Sequence, residues 1–184
     1  MGEVDPEDRK VVSWQIGRDP RGLVEISSRC SYDYPVVITT KPLILRGGEE
    51  FDIFPTLYWL TCPRRVEAIA RAESEGYIEE LEAELRADSE FYRKYRRDER
   101  RYLEKQRELL TKEELEFLRG KGLLGAISRG IGGIESDRHL KCLHLHVAGD
   151  IADRNVVGAR VRKEFGPGDC PGAEIRCQDF SPPD

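Results

Sequence analysis

Five cysteines and three histidines carry the soft, titratable chemistry of this 184-residue chain. The stretch FPTLYWLTCPRR runs from aromatic and β-branched residues into Thr61-Cys62-Pro63 and then Arg64 and Arg65. Pro63 suits the first position of a helix, with Thr61 or Cys62 as its cap. A thiol there faces unpaired N–H groups and about half a positive charge, which favour a thiolate, and the two arginines add to that field. The same position equally suits a small buried apolar side chain.

The second group is DRHLKCLHLHVAGD, where His139, His144 and His146 flank Cys142. Cysteine and histidine are the usual ligands of zinc and other transition metals. Read as a helix, Leu140, Leu143, Val147 and Ile151 form one apolar stripe with His144 beside it. Cys142, His139 and His146 then share the other side, so Cys142 and His144 do not meet at one ion. Read as a strand, Cys142, His144 and His146 face one way. The apolar spacing persists to Ile151 and favours the helix. Solvated histidines, or histidines satisfied by carboxylates, are the plain alternative.

No Cys-x-x-Cys occurs, so neither a zinc ribbon nor a thioredoxin-type site is local. A metal site must be assembled from distant segments. Cys30, Cys62, Cys142 and Cys170 stand in RCSY, TCPR, KCLH and DCPG, all plausible element ends. Four separated thiolates suit zinc or an iron–sulfur cluster. In a thermophilic cytosol Cys170 and Cys177 can instead close a small disulfide loop.

Two weaker patterns complete the set. GIGGIESD, residues 130–137, offers backbone N–H groups to an anion but lacks the Lys-Ser/Thr of a P-loop, and a flexible loop explains it more simply. RKYRRDERRYLEKQR has the arginines and tyrosines that grip RNA, but Asp98, Glu99 and Glu104 interleave them, as on a salt-bridged exposed face. A partner protein is therefore a better occupant of that helix than nucleic acid. The net charge of −5 points the same way.

The elements that must position these groups are read from periodicity. Residues 1–10 read as a disordered tail, and 11–29 as short β-rich pieces broken by Gly17, Pro20 and Gly22. YPVVITTKPLIL and FPTLYWLT read as strands. A helix is expected from Pro63 to about Gly76. Beyond it Ile78, Leu81, Leu85, Tyr92, Tyr95, Tyr102 and Leu109 recur at helical spacing, with a bend at Asp88-Ser89. Thr111 and Glu114 form a capping box for a short helix ending at Gly120 or Gly122. The expected fold is α+β: one domain over residues 11–177, with a small mixed base, a long α-helical hairpin at about 63–119, and a C-terminal tail at 178–184. No apolar run approaches the ~20 residues that cross a bilayer, and the acidic N-terminus is no secretory signal, so a cytoplasmic location without membrane insertion is the expectation.

RCSYDYPVVI, FPTLYWLTCP, KCLHLHVA, NVVG and GPGDC together resemble an uncharacterised bacterial family, domain-of-unknown-function family 501. The resemblance runs from about Val12 to Cys170 and implies no activity. Matched position by position, it picks out Cys30, Thr56, Tyr58, Thr61, Cys62 and Pro63 in the first part of the chain. In the second part it picks out Lys141, Cys142, His144, Asn155, Gly158 and Cys170. Gly168-Asp169 stands inserted before Cys170, while His139, His146 and Cys177 match no family position.

Three functional expectations follow. The leading one is a zinc or iron–sulfur site on Cys30, Cys62, Cys142 and Cys170, with Lys141, His144 and Arg64 around it. The second is a metal-free thiol enzyme with Cys62 as nucleophile and His144 as base, Lys141 being a further catalytic candidate. The third is an adaptor that docks a protein partner through the helical hairpin.

Overall fold

Strand-forming residues gather in the first third of the chain. In the computed structural model, which describes residues 4–47, 50–134 and 138–180, they form β1 (Leu23–Arg29), β2 (Pro35–Thr40), β3 (Leu43–Gly47), β4 (Glu50–Ile53) and β5 (Tyr58–Leu60). β1, β2 and β5 make an antiparallel sheet with β2 in the middle, in register Ile26 to Ile38 and Ile38 to Trp59. Every residue of β2 is buried, which is why PVVITT reads as a continuous run rather than an alternation. β3 and β4 form a separate two-stranded ribbon.

The N-terminal expectation is corrected. Pro6–Ile16 is a helix, α1, not a frayed tail followed by β pieces. Asp5 caps it by accepting from the Glu7 N–H at 2.8 Å, Pro6 opens it, and Gly17 closes it at a φ of 70°. Those signals are present in the sequence. The burial of Val11 and Val12 converts them into an ordered helix.

The helical expectation over 63–119 resolves into four pieces: α2 (Pro63–Ser74), α3 (Tyr77–Ala87), α4 (Ser89–Glu108) and α5 (Lys112–Gly120). Gly76, at a φ of 87°, turns α2 into α3. The Asp88 carboxylate accepts from Glu90 and Phe91 and starts α4, at the expected bend. Thr111 and Glu114 close the expected capping box of α5. Phe91, Tyr95 and Tyr102 of α4 point into the core rather than outward, and the Tyr102 hydroxyl accepts from the Leu57 N–H at 2.6 Å. Two further helices follow, α6 (Leu143–Ala152) and α7 (Val156–Phe165).

The architecture is α+β, as expected. Its main core lies between the three-stranded sheet and α2, α3, α4, α6 and α7, with Ile69, Leu81, Leu85, Leu143 and Val157 at most 1% exposed. Each such side chain contributes about 1.5–3 kcal/mol by leaving water. A smaller cluster of Leu43, Leu110, Leu118 and Ile127 joins the β3–β4 ribbon to α5. Near the C-terminus, a 3-10 turn at Arg176–Asp179 brings Phe180 against Trp14, with ring centres 6.2 Å apart. Of the expected C-terminal tail, Phe180 is thus packed while Gln178 and Asp179 are exposed, and 181–184 lie outside the described residues. No helix among the described residues is long and apolar enough to cross a membrane.

Candidate functional site

Helix α6 starts at Leu143, and Cys142 precedes it in extended backbone, φ −159° and ψ 150°. Cys142 makes no side-chain cap, so the free N–H groups at this helix start need another acceptor. Glu73, from the last turn of α2, supplies it: one carboxylate oxygen accepts from the Leu143 N–H at 2.5 Å. The same oxygen lies 3.1 Å from His144 Nδ1. On the far side of the ring, Nε2 is 3.0 Å from the Val66 carbonyl oxygen. A carbonyl only accepts, so Nε2 carries a hydrogen, and Nδ1 is left facing Glu73 and Cys142.

One ligand atom each from Glu73, Cys142 and His144 lies within 4.8 Å of the others, and all three residues are half-buried. It is the one group of three or more such side chains among the described residues. The hydrogen bond with Cys142, then that with Glu73, pushes His144 up to about 10 against the opposing effect of burial. Burial works to raise the Glu73 carboxyl, but the His144 bond and charge, with the Leu143 amide, outweigh it and bring it below its ordinary value.

This geometry corrects the helical reading of HLKCLHLH. Because the helix begins after Cys142 rather than before it, Cys142 and His144 do meet. The other two histidines lie elsewhere, and the buried Nδ1 of His146 has no hydrogen-bond partner. His139 lies on the surface with Nδ1 3.2 Å from Glu82. His146 is fully buried beside Tyr95, and desolvation pushes it down to about 4, with Asn155 opposing. Lys141 sends its ammonium to the Gly132 carbonyl at 3.1 Å, into the glycine-rich loop. Of that loop, Ile131–Gly133 forms a 3-10 turn, whereas residues 135–137 of the expected anion cradle lie outside the described residues. Glu73 was not singled out in the sequence, since nothing local separates it from the other glutamates of α2 and α3.

Cys62 does occupy the N-cap of α2, as expected, and is 9% exposed. Of the two readings of this position, the small buried side chain fits its burial. Burial is the largest influence and pushes the thiol up, while the Arg65 and Arg64 amides and the Arg65 charge pull the other way and lose. No hydrogen bond of normal geometry closes the cap. His144 is not its base, since both ring nitrogens serve Glu73, Cys142 and Val66.

The C-terminal segment is fastened beside the residues that follow Cys30 and Cys62. Arg65 donates to the Pro167 carbonyl and to Asp169, both at 2.9 Å. The other Asp169 oxygen accepts from the Ser31 N–H at 2.9 Å, next to Cys30. The Tyr32 hydroxyl donates to the Cys170 carbonyl at 3.0 Å. Gln15 reaches the Cys177 sulfur at 3.3 Å. Of the expected quartet, Cys142 is grouped with Glu73 and His144, while hydrogen bonds through Asp169 and Tyr32 join the segments that carry Cys30, Cys62 and Cys170. All five cysteines are free thiols, Cys170 and Cys177 included.

The basic face of α4 is held by acids. Asp98 accepts from the Val156 N–H at 2.8 Å and lies 3.4 Å from Arg101, which also reaches Asp153 at 2.7 Å.

The family described as protein of unknown function (DUF501) matches residues 26–163, and the chain belongs to it. No curated protein and no solved structure matches the chain. The matched stretch holds Glu73, Cys142 and His144 together with Cys30 and Cys62, whereas Cys170 and Cys177 follow it.

Proposed function

We propose, taking membership of this family of unknown function as the premise, that the chain is a metal-binding protein whose Glu73, Cys142 and His144 hold a divalent transition-metal ion. The observation that carries the reading is the aim of His144. Its Nε2–H is spent on the Val66 carbonyl, so Nδ1 offers its lone pair between a carboxylate and a thiol. Backbone or carboxylate acceptors behind a histidine orient metal ligands in this way. Tetrahedral zinc with Zn–N and Zn–S bonds of 2.0–2.3 Å sets its ligand atoms about 3.3–3.8 Å apart, within reach of this group. Without metal, the hydrogen bonds with Cys142 and Glu73 favour a proton on Nδ1 and push His144 up to about 10. One nitrogen, one sulfur and one oxygen suit zinc, and three protein ligands leave a position for water or substrate.

The test is metal content and affinity on protein purified without chelator. Cys142→Ser and His144→Gln are each expected to remove about one equivalent of zinc or to weaken binding about 100-fold, while Lys141→Ala leaves it unchanged. Equal metal in all four proteins would overturn the reading.

A second reading draws on the charge state of the same group. His144 stays protonated at neutral pH beside the Cys142 sulfur, the pairing that supports a cysteine nucleophile. On this reading His144→Gln slows alkylation of Cys142 by about tenfold in metal-free protein. An unchanged rate removes it.

A further inference from the structure

The thiols that the first site leaves unused form a second group. Cys30 follows β1, Cys62 precedes α2, Cys170 lies in the segment after α7, and Cys177 lies in the 3-10 turn at Arg176–Asp179. They come from four separate parts of the chain, and contacts of their neighbouring residues bring these segments together at the start of α2. The convergence is built by specific contacts: Arg65 and Ser31 both hold Asp169, Tyr32 holds the Cys170 carbonyl, Gln15 holds the Cys177 sulfur, and Arg176 pairs with Glu67. Cys62 and Cys177 are buried, and Cys30 and Cys170 are half-buried. A charge on Cys62, Cys30 or Cys170 is felt at Cys177, and one on Cys170 is felt at Cys62.

Four free thiols on segments fastened to one end of α2 are a soft-metal ligand set. A zinc ion or a doubly positive iron–sulfur cluster on four thiolates carries two net negative charges. Arg65 and the N-terminal amides of α2 lie at Cys62, and Arg176 feels the charges of both Cys170 and Cys62. These positive groups offset what a tetrathiolate centre would bring.

The geometry points to a thiolate-bound metal centre on Cys30, Cys62, Cys170 and Cys177, separate from the Glu73–Cys142–His144 group, which fastens the C-terminal segment to the start of α2. Uptake of zinc or of a preassembled cluster needs no electron transfer: each thiol gives up its proton to water and donates a sulfur lone pair. The spread of the sulfurs bears on the kind of centre. No three of them lie within 4.8 Å of one another, whereas a single tetrahedral zinc holds its sulfurs about 3.8 Å apart. An iron–sulfur cluster spreads four thiolates more widely, over several irons, and needs less rearrangement here.

The experiment uses the full chain, purified anaerobically, carrying Cys142→Ser with His144→Gln to remove the first site. Iron, acid-labile sulfide and zinc are measured together with the visible spectrum. Iron with matching sulfide and broad visible absorption supports a cluster. About one equivalent of zinc without colour supports a mononuclear tetrathiolate. Either must be lost from Cys177→Ser and from Cys30→Ser. Less than about a tenth of an equivalent of both metals overturns the proposal. So does metal that persists in Cys177→Ser, and this result leaves the reading of the first site untouched.

Should the substituted chains not fold, alkylation of the unsubstituted protein decides, with each cysteine followed by mass spectrometry. Cys30, Cys62, Cys170 and Cys177 are expected to be protected together and released together by a chelator. Four unrelated rates, unaffected by chelator, overturn the proposal.

Discussion

His144 Nε2 donates to the Val66 carbonyl oxygen at 3.0 Å, and that bond decides which way the imidazole faces. Val66 lies in the first turns of α2 and Glu73 in its last turn, so one helix supplies both the acceptor behind the ring and the carboxylate in front of it. The ring is thereby held over α2, and Cys142 is brought to the same carboxylate.

The two inward histidines give opposite pH dependences. In metal-free protein His144 is raised from 6.5 to about 10 by Cys142 and Glu73. Its contribution to stability is complete below pH about 6.5 and disappears as pH rises toward 10. His146 is lowered by burial to about 4, so below pH about 6.5 the unfolded chain takes up a proton that the folded chain refuses. Stability should then fall by up to about 1.4 kcal/mol per pH unit between 6.5 and 4. Urea unfolding across pH checks both: His144→Gln should flatten the alkaline limb alone, and His146→Leu the acid limb alone. An unchanged profile in either variant removes that assignment.

Gly158 is required by the approach of α7 to α6. A Cβ there would stand 2.0 Å from the His146 carbonyl oxygen, which is helix backbone and has nowhere to move. Asn155 adds to the junction by accepting from the Gly158 N–H at 2.9 Å. Gly158→Ala is therefore expected to cost about 3 kcal/mol or more, or to prevent folding. Chemical denaturation measures it, and a loss under about 1 kcal/mol would contradict the close crossing.

Tyr102 ties the central helix to the segment entering β5. Its hydroxyl accepts from the Leu57 N–H at 2.6 Å and lies 3.2 Å from the Pro55 carbonyl. Tyr102→Phe leaves the buried Leu57 N–H without a partner and should cost about 1–3 kcal/mol. Hydrogen exchange at the Leu57 amide should rise with it. Unaltered exchange would show that the hydroxyl is not the partner.

Much of the helical layout was legible locally. Pro63 after Cys62, Asp88-Ser89 and Thr111 with Glu114 announce helix starts because capping needs only side chains within three residues of the N–H groups they serve. The start of α6 was not legible in this way. Its acceptor, Glu73, comes from another helix 70 residues earlier, so the helix opens at Leu143 and the relation between Cys142 and His144 changes with it. The N-terminal helix shows a different limit. The Asp5-Pro6 cap was readable, but a charged segment becomes ordered only when Val11 and Val12 have a core to enter.

By itself, then, the sequence determined an α+β chain, the helix start at Cys62, and the residue types able to hold a soft metal. Tertiary structure alone decided how those residues divide. It sends Cys142 to Glu73 and His144, and it ties the segments of Cys30, Cys62, Cys170 and Cys177 together through Arg65, Asp169, Tyr32 and the Arg176–Glu67 pair. Ligand type is written in single residues. Ligand partnership depends on contacts between segments tens of residues apart, and packing and long-range hydrogen bonds choose those contacts only when the whole chain folds.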